Sequence, residues 1–87
     1  MKILSEPIDA LVKFKGIEKP IPYKFRYLDE EEAYHEIKID KIITIEETKI
    51  AGTRSYIYRC QSQIKGVEKV YEIKYIIEEC RWELYKI

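Results

Sequence analysis

Val70-Tyr71-Glu72-Ile73-Lys74-Tyr75-Ile76 and Arg81-Trp82-Glu83-Leu84-Tyr85-Lys86-Ile87, preceded by Tyr56-Ile57-Tyr58-Arg59-Cys60, decide the fold class. Each stretch alternates or nearly alternates, is rich in aromatic and β-branched residues, and is separated from the next by polar residues. The pattern predicts three strands of an antiparallel meander, with Lys65-Gly66-Val67-Glu68-Lys69 and Glu78-Glu79-Cys80 as its turns. Tyr71, Ile73, Tyr75, Trp82 and Leu84 then fall on one inner face. Val70, Ile76, Tyr85 and Ile87 lie on the other side, and apolar residues on both sides point to closure into a barrel or to a sheet contact with another chain.

Working outward, Ala51-Gly52-Thr53 is a turn that leads into the meander. Near the start of the chain, Ile8 to Phe14 reads as a strand, with Ile8, Ala10, Val12 and Phe14 on one face and Asp9, Leu11 and Lys13 on the other. Lys15 to Pro22 is a loop stiffened by Pro20 and Pro22. Tyr23-Lys24-Phe25-Arg26-Tyr27 is the cleanest alternation in the chain and predicts three aromatics inward and two cations outward.

Leu28 to Ile50 is ambiguous. Asp29-Glu30-Glu31-Glu32 has the form of a helix start, with Asp29 as N-cap and Glu32 as its capping-box partner. Against this, Ile37 and Ile39 alternate with charged neighbours, and Ile42, Ile43, Thr44, Ile45 and Thr48 favour extended backbone. The segment is therefore read as strand. Lys41 interrupts the odd-numbered face of His35, Ile37, Ile39, Ile43 and Ile45, so a bulge at Asp40-Lys41 is expected to re-aim Ile42 and Ile43 toward the core. The result is a bent strand of the kind that passes between two halves of a small barrel.

Eighty-seven residues make one domain, spanning 1–87, with room for a single core and little for an enclosed substrate cavity. Apolar residues make up 46% and charged ones 37%, a share that suits a thin fold with much surface. Sixteen basic and sixteen acidic side chains cancel, which removes the overall field that draws proteins to nucleic acid or anionic membranes. The charges are unevenly placed: residues 1–28 carry +3, residues 29–48 carry −6 and residues 49–87 carry +3. No stretch has the form of a signal peptide or a membrane span, which sets a cytoplasmic location as the expectation. Cys60 and Cys80 stand in or beside strands and read as reduced, partly buried thiols.

Pro22 with Phe25, Arg54 with Tyr56-Ile57-Tyr58-Arg59, Tyr71-Glu72-Ile73 and Trp82-Glu83-Leu84-Tyr85 together resemble the pattern of small bacterial all-β domains of unknown function. In those domains a Pro-x-x-aromatic precedes an Arg-x-Tyr-x-aromatic-Arg, a Tyr-Glu-aliphatic and a closing Trp-x-Leu. The resemblance covers about two-thirds of the chain and implies no activity.

Catalysis would have to use His35 with Cys60 or Cys80, and no nucleophile elbow, oxyanion loop or HExxH spacing accompanies them. A zinc site from His35, both cysteines and a carboxylate lacks the paired spacing that such sites use. The expectation is a chain that is not an enzyme and takes no cofactor or metal. Arg54, Tyr56, Tyr58, Arg59, Tyr71, Lys74 and Tyr75 form the candidate binding face, since stacking aromatics beside cations are what single-strand nucleic-acid binders use. Set against that reading, the tyrosines are needed as core and rim, and a neutral chain forgoes counterion release.

The sequence reading is thus an all-β domain, a small six-stranded antiparallel partly open barrel or roll, acting as a structural or protein-interaction module. A single-stranded nucleic-acid binder with a tyrosine-rich face is the alternative. Self-association as a homodimer is expected from Ile42-Ile43-Thr44-Ile45, whose β-branched residues occupy both faces of one strand.

Overall fold

The computed structural model describes Met1–Ile87. Eight strands form two antiparallel sheets: β1 (Ile3–Pro7), β2 (Asp9–Lys13), β3 (Ile21–Leu28), β4 (Tyr34–Lys38), β5 (Lys41–Ile50), β6 (Thr53–Ile64), β7 (Val67–Ile76) and β8 (Arg81–Lys86). The large sheet runs β1-β8-β7-β6-β5 and the small sheet β2-β3-β4. All-β architecture and the meander β6-β7-β8 are as expected, whereas the strands number eight rather than six and no closed barrel forms.

Two features account for the difference. The bent strand expected over Leu28–Ile50 is broken at its corner into β4 and β5, and Ile39 and Asp40 carry the chain from the small sheet to the large one. At that corner Ile39 N–H donates to Tyr23 O at 3.0 Å and Asp40 N–H to Gln61 O at 3.1 Å, so the backbone stays satisfied while it turns. The other feature is β1, which the sequence reading passed over. Ser5-Glu6-Pro7 has no alternation to read, and Ser5 sits at φ +50° where the β1–β8 register slips between Ile3 and Glu6. Ile8 then carries the chain from β1 into β2, its N–H donating to Trp82 O at 3.2 Å.

The expected bulge at Asp40-Lys41 lies instead between Ile42 and Thr44 in the pairing with β6. Ile42 and Ile45 tuck against the core, while Ile43 is the extra residue and stays exposed. A second bulge lies on β3, where Leu11 pairs with Lys24 but Val12 pairs with Pro22. The extra residue there is Tyr23, which corrects the reading of three inward aromatics: Phe25 is buried, Tyr27 half-buried and Tyr23 exposed, with buried Pro22 inward in its place. Phe14 is also exposed, since β2 ends one residue before it.

No helix forms at Asp29. Its Oδ1 accepts from the N–H groups of Glu31 and Ala33, each at 2.9 Å, and Glu32 takes φ +61°. The carboxylate does cap backbone donors, but those of a tight β3–β4 turn. The β5–β6 and β6–β7 hairpins close on Ala51-Gly52 and Lys65-Gly66, both residues of each pair at positive φ, the geometry that matches strand twist in two-residue turns.

The core lies between the sheets. Tyr58, Cys60, Tyr71, Ile73, Tyr75, Trp82 and Leu84 come from the large sheet, joined by Phe25 and Ile37 of the small sheet and by Ile39 at the corner. Trp82 packs between Tyr75, centroids 4.7 Å apart, and Tyr58, at 5.2 Å. Buried hydroxyls are matched: Tyr58 donates to Pro20 O, and the Ser62 and Tyr71 hydroxyls share a 2.7 Å hydrogen bond.

Candidate functional site

The seven residues of the expected binding face do not form one. Tyr58 and Tyr71 are 0% exposed and Tyr75 is also buried, their rings forming the inner layer of the large sheet. Burial pushes the Tyr58 and Tyr71 phenols above their ordinary pKa. Tyr56 is half-buried, stacked on Tyr75 and edge-on to Tyr58. Arg59 and Lys74 lie on the opposite side of the same strands, because residues adjacent in a strand point to opposite faces. Arg54 stands near the end of the β5–β6 hairpin, where it pairs with Glu47. That hydrogen bond holds the Glu47 carboxyl below, and the guanidinium above, its usual range. Sequence alternation grouped residues that the sheet separates.

The candidate catalytic residues are likewise apart in role. His35 Nε2 is 2.6 Å from Asp29 Oδ2 and the imidazole stacks on Tyr27 at 5.1 Å. The His35 hydrogen bond, backed by the Ala33 N–H, holds the Asp29 carboxyl below its usual range. Cys60 is buried, its S–H directed to Tyr58 O, and burial pushes its thiol up to about 12. Cys80 corrects the expectation of two buried thiols. It is exposed in the β7–β8 turn at φ +51°, its S–H directed to Ile77 O. No group of three or more His, Cys, Asp and Glu side chains is placed to hold a metal ion.

The outward faces of the two sheets differ. Across the large sheet the outward rows read Glu46-Ile57-Lys74-Glu83 and Thr44-Arg59-Glu72-Lys86. Arg59 reaches Glu72 at 3.8 Å, Arg81 reaches Glu83 at 3.3 Å, and Lys74 lies 4.4 Å from the Tyr85 ring centroid. Unlike charges stand side by side.

The outward face of the small sheet carries large apolar groups instead. Leu11, Ile21, Tyr23, Leu28 and Tyr34 are each between 38% and 62% exposed. They surround two ion pairs, Asp9–Arg26 and Lys24–Glu36, that flank a depression of about 530 Å³ floored by Ala10 and Phe25. A second cavity, of about 460 Å³, adjoins it toward the β3–β4 turn and is lined by Pro7, Leu28 and Tyr34 with Glu6, Asp29 and Glu32. Arg26 lies between the cavities, its guanidinium over the Tyr34 ring at 4.4 Å and bonded to Asp9 at 2.8 Å.

This face was missed because its residues are scattered in sequence. The one signal was Leu11, which falls between Asp9 and Lys13 on the polar side of its strand. No family model, curated protein or solved structure matches the chain, so the resemblance drawn from Pro22, Arg54, Tyr71 and Trp82 stands without a family behind it, and what the molecule shows is a small all-β domain.

Proposed function

We propose that the chain is a non-enzymatic protein-interaction module that binds through the outward face of its small sheet. The observation that carries this reading is the concentration of exposed Leu11, Ile21, Tyr23, Leu28 and Tyr34 on one side of three strands. Apolar residues scattered singly over a surface are ordinary, whereas these five gather on one sheet face around the Asp9–Arg26 and Lys24–Glu36 pairs, and exposed apolar groups so gathered mark a contact surface. Tyrosines with an arginine among them are also the residue types enriched at interface centres.

The expected homodimer keeps its place in this reading but changes its surface. Ile42 and Ile45 are taken up by the protein's own core, so the β5 run no longer leaves a whole face to cover. The single-strand nucleic-acid alternative has against it the burial of Tyr58, Tyr71 and Tyr75, the rings that would stack on bases.

Sedimentation velocity across a micromolar concentration range tests the reading. Leu11→Asp with Tyr23→Asp is expected to abolish association without lowering the melting temperature, because both side chains are exposed in the folded chain. Ile43→Lys, on β5 at the edge of the large sheet, is expected to leave association unchanged. Association that survives the first variant and is lost in the second would move the contact to the β5 edge.

A further inference from the structure

The two ends of the small-sheet face carry opposite charge. At one end the β2–β3 loop presents Phe14 and Ile17 to solvent, Ile17 at 105% exposure, among Lys13, Lys15 and Lys19, with Glu18 the only acid in the loop. At the other end the β3–β4 turn brings Asp29, Glu30, Glu31 and Glu32 beside the cavity that holds Glu6, Pro7, Leu28 and Tyr34. Asp29 is engaged by His35 and Asp9 by Arg26. Lys13, Lys15, Glu6 and Glu32 take part in none of the protein's ion pairs. Each end therefore has an apolar group, a free charge of one sign and no partner within the chain.

We infer that the occupant of this face is a second copy of the chain, laid across it antiparallel about a two-fold axis. Each Lys13–Lys15 tip then sits over the Glu6 and Glu32 cavity of the other copy. This rests on the reading of the small-sheet face as the contact surface. A two-fold arrangement makes the same contact twice and closes, so both charged ends and the apolar residues beside them are satisfied in one assembly, with the Asp9–Arg26 and Lys24–Glu36 pairs at its middle. Phe14 and Ile17 of one copy meet Pro7, Leu28 and Tyr34 of the other. Parallel stacking would set lysine on lysine and glutamate on glutamate. An anionic lipid surface would engage the basic tip alone and leave the acidic half of the face bare.

Magnitudes place the contact among weak dimers. β3 is eight residues long and β2 and β4 five each, so three strands spaced by roughly 4.8 Å give at most about 370 Å² per copy, less than a specific interface buries, and the contact needs the β2–β3 loop and β3–β4 turn to extend it. Dissociation in the micromolar range, promoted by salt, follows from so small a contact with charged ends.

Charge reversal tests the arrangement. Lys13→Glu with Lys15→Glu, and separately Glu6→Lys with Glu32→Lys, are each expected to weaken self-association about tenfold or more by placing like charges together. Mixing the two variants is expected to restore a one-to-one pair, because every end then faces its opposite. All four substitutions in one chain restore the homodimer. If neither reversal weakens association while Leu11→Asp with Tyr23→Asp does, the face stands and the antiparallel arrangement falls. If the reversed variants fail to pair with each other, it falls as well. A wild-type chain that is monomeric throughout the micromolar range overturns the second copy as occupant. Binding to phosphatidylserine vesicles, lost on Lys13→Glu with Lys15→Glu, would then assign the tip to lipid.

Discussion

Across the outward face of the large sheet, Arg59 stands beside Glu72, Lys74 beside Glu83 and Arg81 within reach of Glu83, so each charge has a neighbour of opposite sign in its own chain. Across the outward face of the small sheet, Leu11, Tyr23 and Tyr34 are left in solvent, and the free charges at its ends lie at opposite ends of the face. On the first face the charges stand beside neighbours of opposite sign, with Val70 exposed among them. The second is the face proposed to meet another copy of the chain.

The comparison is broken most directly from inside. The large sheet is finished on its inner side too, where Trp82 joins Tyr58 and Tyr75, and Trp82→Ala is expected to cost on the order of 3–5 kcal/mol. Against a total stability of roughly 5–15 kcal/mol, that is from about a fifth of it to all of it. Chemical denaturation that gave near-native stability for this variant would show that the core does not depend on the large sheet.

The next effect is smaller and depends on pH. Cys60 is held as a neutral thiol, its pKa raised from 9.0 to about 12 by burial, so the unfolded chain releases its proton first. Its contribution to stability is whole below about pH 9 and declines as pH rises toward about 12. Tyr58 and Tyr71, also raised, add to the loss above about pH 10. Cys60→Ala is expected to flatten the stability profile between pH 9 and 10, and an unchanged slope would show that the thiol is not confined. In the native state a thiol reagent is expected to modify exposed Cys80 at once and buried Cys60 only after denaturation. Labelling of both on one timescale would contradict that difference in exposure.

The smallest effect sharpens the comparison. Arg59→Ala removes the half-exposed member of a loose 3.8 Å pair whose Glu72 side chain is largely covered, and a change in stability within about 1 kcal/mol is expected, with association unaltered. A loss of association there would mean that the large sheet, too, meets a partner.

How much of this was legible in the sequence depended on whether local alternation settles the question. It placed Tyr71, Ile73, Tyr75, Trp82 and Leu84 on one inner face, and the turn residues Gly52 and Gly66 marked the hairpins, because both signals are complete within a few residues. It misplaced Tyr23, since a bulge resets the alternation and only the pairing with β2 reveals it. It placed Cys80 in the turn where the residue lies, yet expected a partly buried thiol where the structure exposes one. The tyrosine-rich face failed for a related reason: one aromatic ring reads alike as a stacking platform and as a core layer until the facing sheet is known. The apolar patch draws on residues from three strands, and no window along the chain contains it.

β1 pairs with β8 through Ile3 and Lys86, residues separated by nearly the whole chain, while β5 to β8 are linked by short turns between sequential neighbours. In kinetic terms the molecule joins low contact order at one end to the highest possible at the other. The β5–β8 meander can form from local hairpins, but β1, which precedes every other strand of this domain in the chain, must wait for β8 before it has a partner. Until then β8 has a bare edge in place of its β1 neighbour, and the period during which the new chain is vulnerable to wrong pairing is set by that one long-range contact.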